Sequence, residues 1–174
     1  MTEIICISGK PSRVKENIAV ILKEELERRK KRVLVTHFAD PLKQICREWF
    51  GWDGRNDAVG CSLLEYVGTE IVRAQRPDFW VDFTLGLLSI MGDEWDFVII
   101  PDCRFQNELD NERYGFQPWH IRVEGNAKHT QEACMLRQEP HDAPPDFIVA
   151  GRASLDDPRE TAAAIARRIT EKDI

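Results

Sequence analysis

The chain has 174 residues, 43% apolar and 31% charged, enough to bury the core of one globular domain. A formal net charge of −6 argues against a binder of nucleic-acid polymers or anionic membranes, which carries a basic excess. It leaves room for a locally basic cleft that takes a small anion.

In chain order, residues 3–8 are a short apolar run ending at Ser8-Gly9, the pattern of a buried parallel strand. Val14, Ile18, Ile21, Leu22 and Leu26 follow at helical spacing, and the basic stretch 28–32 closes that helix. A second strand is predicted over 32–38. Asp40 and Pro41 then read as the cap and first residue of a helix carrying Leu42, Ile45, Cys46 and Trp49. After a polar turn region from Gly51 to Gly60, Ser62-Leu-Leu-Glu65 has capping-box spacing and predicts a helix from there to about Gln75. Pro77-Asp78 restarts a helix whose apolar face reads as Phe79, Trp80, Phe83, Leu87 and Ile90. A third strand, Phe97–Ile100, leads into Pro101-Asp102-Cys103-Arg104 and a short helix ending before Gly115. Fourth and fifth strands are predicted at 118–123 and 146–149, with a lid-like segment over 124–145. That segment holds His129, Arg137 and His141, and neither histidine has ligand-like spacing. A last helix opens at Asp157-Pro158 and buries Ala162, Ile165, Ala166 and Ile169.

This alternation predicts one α/β domain over 1–174, a mainly parallel sheet covered on both faces, with a helical insertion at 40–92. Five scattered cysteines, Cys6, Cys46, Cys61, Cys103 and Cys134, form no C-x-x-C pair. With no leader-like or membrane-length apolar segment, the expectation is a cytoplasmic protein with reduced thiols.

The turn after the first strand carries Gly9 and Lys15 at the spacing of a phosphate loop, G-x-x-x-x-G-K-[ST]. Such a loop works because backbone N–H groups and a helix amino terminus cradle phosphate oxygens while the lysine adds charge. Here Val14 stands at the second glycine and Glu16 at the hydroxyl position. A β-branched residue tolerates left-handed angles poorly, so either the backbone takes a different path or a triphosphate binds weakly. Taken alone, the segment also reads as a strand–turn–helix with a solvated basic turn.

Four further pieces occur in order: Phe38-Ala-Asp-Pro-Leu-Lys43, Leu64-Glu-Tyr-Val-Gly-Thr-Glu-Ile71, Phe79-Trp80-Val81, and Val98-Ile-Ile-Pro-Asp-Cys-Arg-Phe-Gln-Asn-Glu108. With the loop, they resemble the deoxynucleoside monophosphate kinases of phages and their bacterial relatives, within the P-loop nucleotide kinase superfamily. The resemblance covers most of 3–123. That family commonly has glycine-lysine-aspartate where this chain has Val14-Lys15-Glu16, and a histidine-x-serine-glutamate lid pattern where it has His141-Asp142-Ala143-Pro144.

The resemblance implies a three-layer P-loop nucleoside monophosphate kinase-like fold, with a five-stranded parallel sheet in the order 2-3-1-4-5. It also implies transfer of the γ-phosphoryl of ATP to a (deoxy)nucleoside monophosphate, with Mg2+, by a monomer or homodimer. Lys15, Asp102 and Arg104 are then the candidate catalytic residues. Gly9, Lys10, Ser12, Arg13, Val14, Lys15, Glu16, Asn17, Arg122 and Arg137 are candidates for binding ATP phosphates. Glu16 and Asp102 are candidate metal ligands, and Asp40, Lys43, Arg73, Arg76 and Trp80 candidates for the monophosphate. Several have plainer readings: Asp40 as a helix cap, Trp80 as core, Asp102 and Arg104 as an ion pair, and Lys10, Arg13, Lys43, Arg122 and Arg137 as solvated charge. Two alternatives stand beside the kinase: a nucleotide-binding protein of the same fold without turnover, and a kinase for another small phosphorylated acceptor.

Overall fold

The computed structural model describes residues 2–9, 12–110, 114–124, 144–150 and 158–171. Strand β1, Glu3–Gly9, is apolar on both sides of its pleat, with Ile4 to Ile7 fully buried, as a central parallel strand requires. It is flanked by β3, Phe97–Ile100, and β4, Trp119–Glu124. Outside these lie β2, Val33–Val35, and β5, Phe147–Ala150. The order is β2-β3-β1-β4-β5 and every pairing is parallel, as expected for a P-loop kinase-like α/β fold. β2 is shorter than the predicted 32–38, because after the bond from Thr36 N to Ile99 O the chain turns out of the sheet at His37.

Helices α1, Ser12–Arg28, and α5, Pro158–Thr170, cover one face. Their buried Val14, Ile18, Leu22, Leu26, Ala162, Ile165 and Ile169 pack on Ile5, Ile7, Ile99 and Ile121. The other face of the sheet, Ile4, Cys6, Val98 and Ile100, packs against α4, Phe79–Met91, through Val81, Leu85 and Leu88. The expected stripe on α4 is therefore corrected: Phe83, Leu87 and Ile90 are 52%, 51% and 83% exposed. Apolar residues fall on every side of that helix, so periodicity alone could not select the buried one.

Between β2 and β3 the chain forms α2, Asp40–Phe50, α3, Ala58–Glu65, a π-helix, Tyr66–Arg73, and then α4. Ala39, not Asp40, holds the cap position of α2, while the Asp40 carboxylate accepts a bond from His37 N at 3.0 Å. α3 opens earlier than the Ser62 pattern predicts. Asp57 caps it by accepting from Gly60 N at 2.9 Å, and Ser62 lies inside the helix, bonded to Ala58 O. These elements enclose their own small core of Leu42, Cys46, Trp52, Leu64, Val67 and Trp80.

After Arg104 the predicted short helix is described in part: Gln106–Glu108 is a 3-10 turn, residues 111–113 lie outside the described residues, and Tyr114 is again 3-10. Most of the 124–145 segment, with His129, Arg137 and His141, lies outside the described residues, as does Asp157. Cys6, Cys46 and Cys103 are buried free thiols, whereas Cys61 is disulfide-bonded, which corrects the expectation that all thiols are reduced. No described helix is long and apolar enough to cross a membrane.

Candidate phosphate-binding cleft

The carboxyl ends of β1 and β3 meet where the strand order reverses, the crevice in which open α/β sheets bind ligands. β1 ends at Gly9 with φ +94°. A Cβ there would lie 2.0 Å from Val123 O, so only glycine lets β1 leave the sheet at this point. Lys10 and Pro11 lie outside the described residues.

α1 is already helical at Ser12, so Val14 sits in the first turn of a helix rather than in a left-handed loop. The different backbone path is thus the outcome at this position. The Val14 side chain is 6% exposed and joins the core under α1. Arg13 and Asn17 point to solvent. The first turn carries no acidic residue, which leaves the positive end of the helix uncompensated.

Lys15, one residue on, is 2% exposed. Burial lowers its pKa below the usual ammonium range and nearby Arg104 lowers it further, while Cys103, Asp102 and Glu16 oppose them. Lys15, Glu16, Asp102 and Arg104 therefore form one electrostatic group drawn from α1 and the end of β3.

Asp102 has a structural duty that the sequence did not disclose. Its two carboxylate oxygens accept bonds from Phe38 N and Ala39 N, both at 3.0 Å. The carboxylate thereby pins the entry of α2 to the exit of β3. Glu16 faces His37, whose Nε2 lies 3.1 and 3.2 Å from its two oxygens; His37 Nδ1 lies 3.3 Å from Asp40. Burial alone would lower the His37 pKa, but the bonds to Asp40 and Glu16 outweigh it and raise it to about 10. An imidazolium cation thus sits between two carboxylates, and Lys43 is 3.6 Å from Asp40.

These donors suit a cation that keeps most of its water, as magnesium does with one or two carboxylates. Among the described residues no group of three or more His, Cys, Asp or Glu side chains is placed to hold a metal ion, and Glu16 is engaged by the His37 ring, but each Asp102 oxygen keeps a lone pair beyond its backbone bond. Glu16 and Asp102 are the carboxylates that would approach such an ion if it entered with bound phosphates.

Beside this group a cleft opens between the π-helix and the end of β3. Phe38, Leu42, Leu64, Trp80 and Phe105 supply apolar walls, and Thr69, Arg73, Asp102, Arg104 and Glu108 supply polar groups. Arg73 lies over the Phe105 ring, 4.0 Å from its centroid, and is ion-paired with Glu108. Trp80 is 3% exposed, donates from Nε1 to Gly68 O at 3.1 Å and packs edge-on against Phe79, so it is core as well as cleft wall.

Among the predicted monophosphate residues, Arg73 and Trp80 line the cleft. Asp40 and Lys43 lie in the cluster around His37, and Arg76 is exposed over Phe79 at 5.7 Å. Arg122 lies on β4 opposite Ser8, and Arg137 is outside the described residues. Sequence reasoning gave no role to His37, Thr69, Phe105 or Glu108. Three of these, Thr69, Phe105 and Glu108, fall inside the quoted motif pieces.

Two solved structures align over nearly the whole chain. A mutant of the Mycobacterium tuberculosis APS kinase CysC has a TM-score of 0.48 and 12% identity, covering 95% of this chain and 97% of the other. The crystal structure of APE1195 has a TM-score of 0.54 and 14% identity, covering 97% and 96%. At such identities the likeness is one of fold. Neither a protein-family model nor a curated protein matches the sequence.

Proposed function

We propose that the protein transfers the γ-phosphoryl of ATP, brought in as its magnesium complex, to a nucleoside monophosphate, with a deoxynucleotide as the preferred acceptor. One observation carries this reading: Lys15 is buried in the first turn of α1, directly after the Gly9 exit and among Asp102, Arg104 and Glu16. A lysine held at 2% exposure at a helix start is poorly explained as solvated charge and well explained as a phosphate partner. Phosphoryl transfer needs little covalent chemistry from the protein. It needs positive charge near the moving group, and two phosphate sites held in line.

Lys15 and the first N–H groups of α1 bind the donor phosphates in this reading. Arg104 neutralises charge developing between donor and acceptor. Arg73 supplies the acceptor phosphate with N–H donors beyond those it gives to Glu108 and Pro77 O. The walls around Phe38, Leu64, Trp80 and Phe105 exclude water from the acceptor side. The bound magnesium ion spreads the negative charge of the phosphates.

A second reading, nucleotide binding without turnover, has its own observation in favour: both candidate metal carboxylates are engaged by protein partners. Calorimetric titration of MgATP into the protein and its Lys15→Met variant tests the shared premise. The kinase reading expects binding that the variant loses. Equal affinity in the two would remove Lys15, and the phosphate loop with it, from the site.

A further inference from the structure

The most buried carboxylate in the cleft has no part in the chemistry described above. Glu108 is 2% exposed, and three groups converge on it. Its Oε1 is paired with Arg73 Nη2. Its Oε2 accepts from Arg104 N at 2.6 Å and Phe105 N at 3.1 Å. Its own backbone oxygen takes the Cys6 thiol at 3.7 Å, which fixes it to the central strand. One side chain thus joins the π-helix, the turn after β3 and, through its backbone, β1.

The cost of this arrangement points to a use. Burial pushes the Glu108 carboxyl pKa up and the Asp102 charge adds to that, while Arg73 and the two backbone N–H groups pull it down. A buried ion pair seldom stabilises more than an apolar pair of the same shape, so a fold needing only a staple here gains little from charge. The pair instead fixes a guanidinium at the cleft wall. Arg73 lies over the Phe105 ring, donates from Nη1 to Pro77 O at 3.2 Å, and meets Glu108 through Nη2. The π-helix contributes to the same placement: its wide turn, closed by Ala74 N to Thr69 O, sets Thr69 and Arg73 on the cleft. A guanidinium locked on three sides is a pre-organised anion receptor, because its rotamer entropy is already spent before a ligand arrives.

We propose that Glu108, itself anchored by the Arg104 and Phe105 amides, is the positioning residue of the acceptor site, aiming Arg73 at the phosphate of the monophosphate. This rests on the kinase reading above, and a set of variants separates the two. Glu108→Gln keeps the shape but turns an amide donor toward either Arg73 or the two backbone N–H groups. Adding Arg73→Met removes the second buried charge, so melting temperature recovers.

The experiment titrates the four deoxynucleoside monophosphates, and separately MgATP, into the wild type, Glu108→Gln, and the double variant, with melting curves on each. The expected result is at least roughly tenfold weaker monophosphate binding by Glu108→Gln with MgATP affinity unchanged. In the double variant, stability returns and monophosphate affinity does not. Monophosphate binding by Glu108→Gln as tight as wild type makes Glu108 a staple only and leaves the kinase reading standing; binding recovered along with stability in the double variant removes Arg73 from the acceptor site and overturns the positioning role with it. A wild type that binds MgATP but none of the monophosphates overturns the acceptor site and the role of Glu108 together.

Discussion

Val14 and His37 show how much one side chain's surroundings decide. Viewed as a loop residue, Val14 obstructs phosphate binding, and glycine should improve it. Viewed as a first-turn helix residue with a buried side chain, it is part of the core. Val14→Gly should therefore destabilise the protein by roughly 2–4 kcal/mol, combining lost burial with the helix cost of glycine. A urea melt measures this directly; an unchanged midpoint with tighter ATP binding would restore the loop view. For His37 the sign follows from its raised pKa. The imidazolium contributes its full stabilisation below the unfolded value of 6.5 and loses it as pH rises through about 10. The hydrogen bond from His37 lowers the Glu16 pKa. For Asp40 burial pushes upward but the His37 bond outweighs it, so the carboxylates' share is lost on the acid side. The melting-temperature difference between wild type and His37→Gln should be largest at mildly acidic pH, just below 6.5, and shrink as pH rises toward 10. A difference that stays flat across that interval contradicts the pairing.

Among elements, the decisive joint is the one between the end of β3 and the start of α2, made by Asp102 to Phe38 N and Ala39 N. Asp102→Asn replaces one acceptor with a donor facing an N–H, at a cost of about 1–3 kcal/mol, and loosens the cleft that Phe38 and Ala39 line. Hydrogen exchange at those two amides should accelerate in the variant; unchanged protection would mean the tether is dispensable. This joint also marks where sequence stops being legible. β1 and β3 are readable because a strand buried on both faces is a continuous apolar run, and the Gly9–Lys15 spacing could be picked out because it is local. The bonds of Asp102 reach 64 and 63 residues back, and Glu108 meets Arg73 across 35, distances over which no local pattern speaks. Ser62 misled for a related reason. Its capping-box spacing is genuine, but Asp57 caps the helix first, and the following π-helix has no compositional signature of its own.

At the scale of the molecule, the proposed function would place donor phosphates at the start of α1 and the acceptor in the cleft walled by α2, α3, the π-helix and α4. In the proposed function the two ends share the Asp102–Arg104 turn, so the fold would set the spacing between the phosphates. Losing charge at the donor end should then cost rate rather than fold: Lys15→Met should lower turnover by about two to three orders of magnitude, as losing a pre-organised charge does elsewhere, with little change in melting temperature. The most direct test of the central claim is the initial rate of ADP formation from MgATP, measured against a panel of deoxy- and ribonucleoside monophosphates. ADP release should depend on adding one monophosphate, with the matching diphosphate as co-product. ATP that binds while no monophosphate raises the rate above background would contradict it.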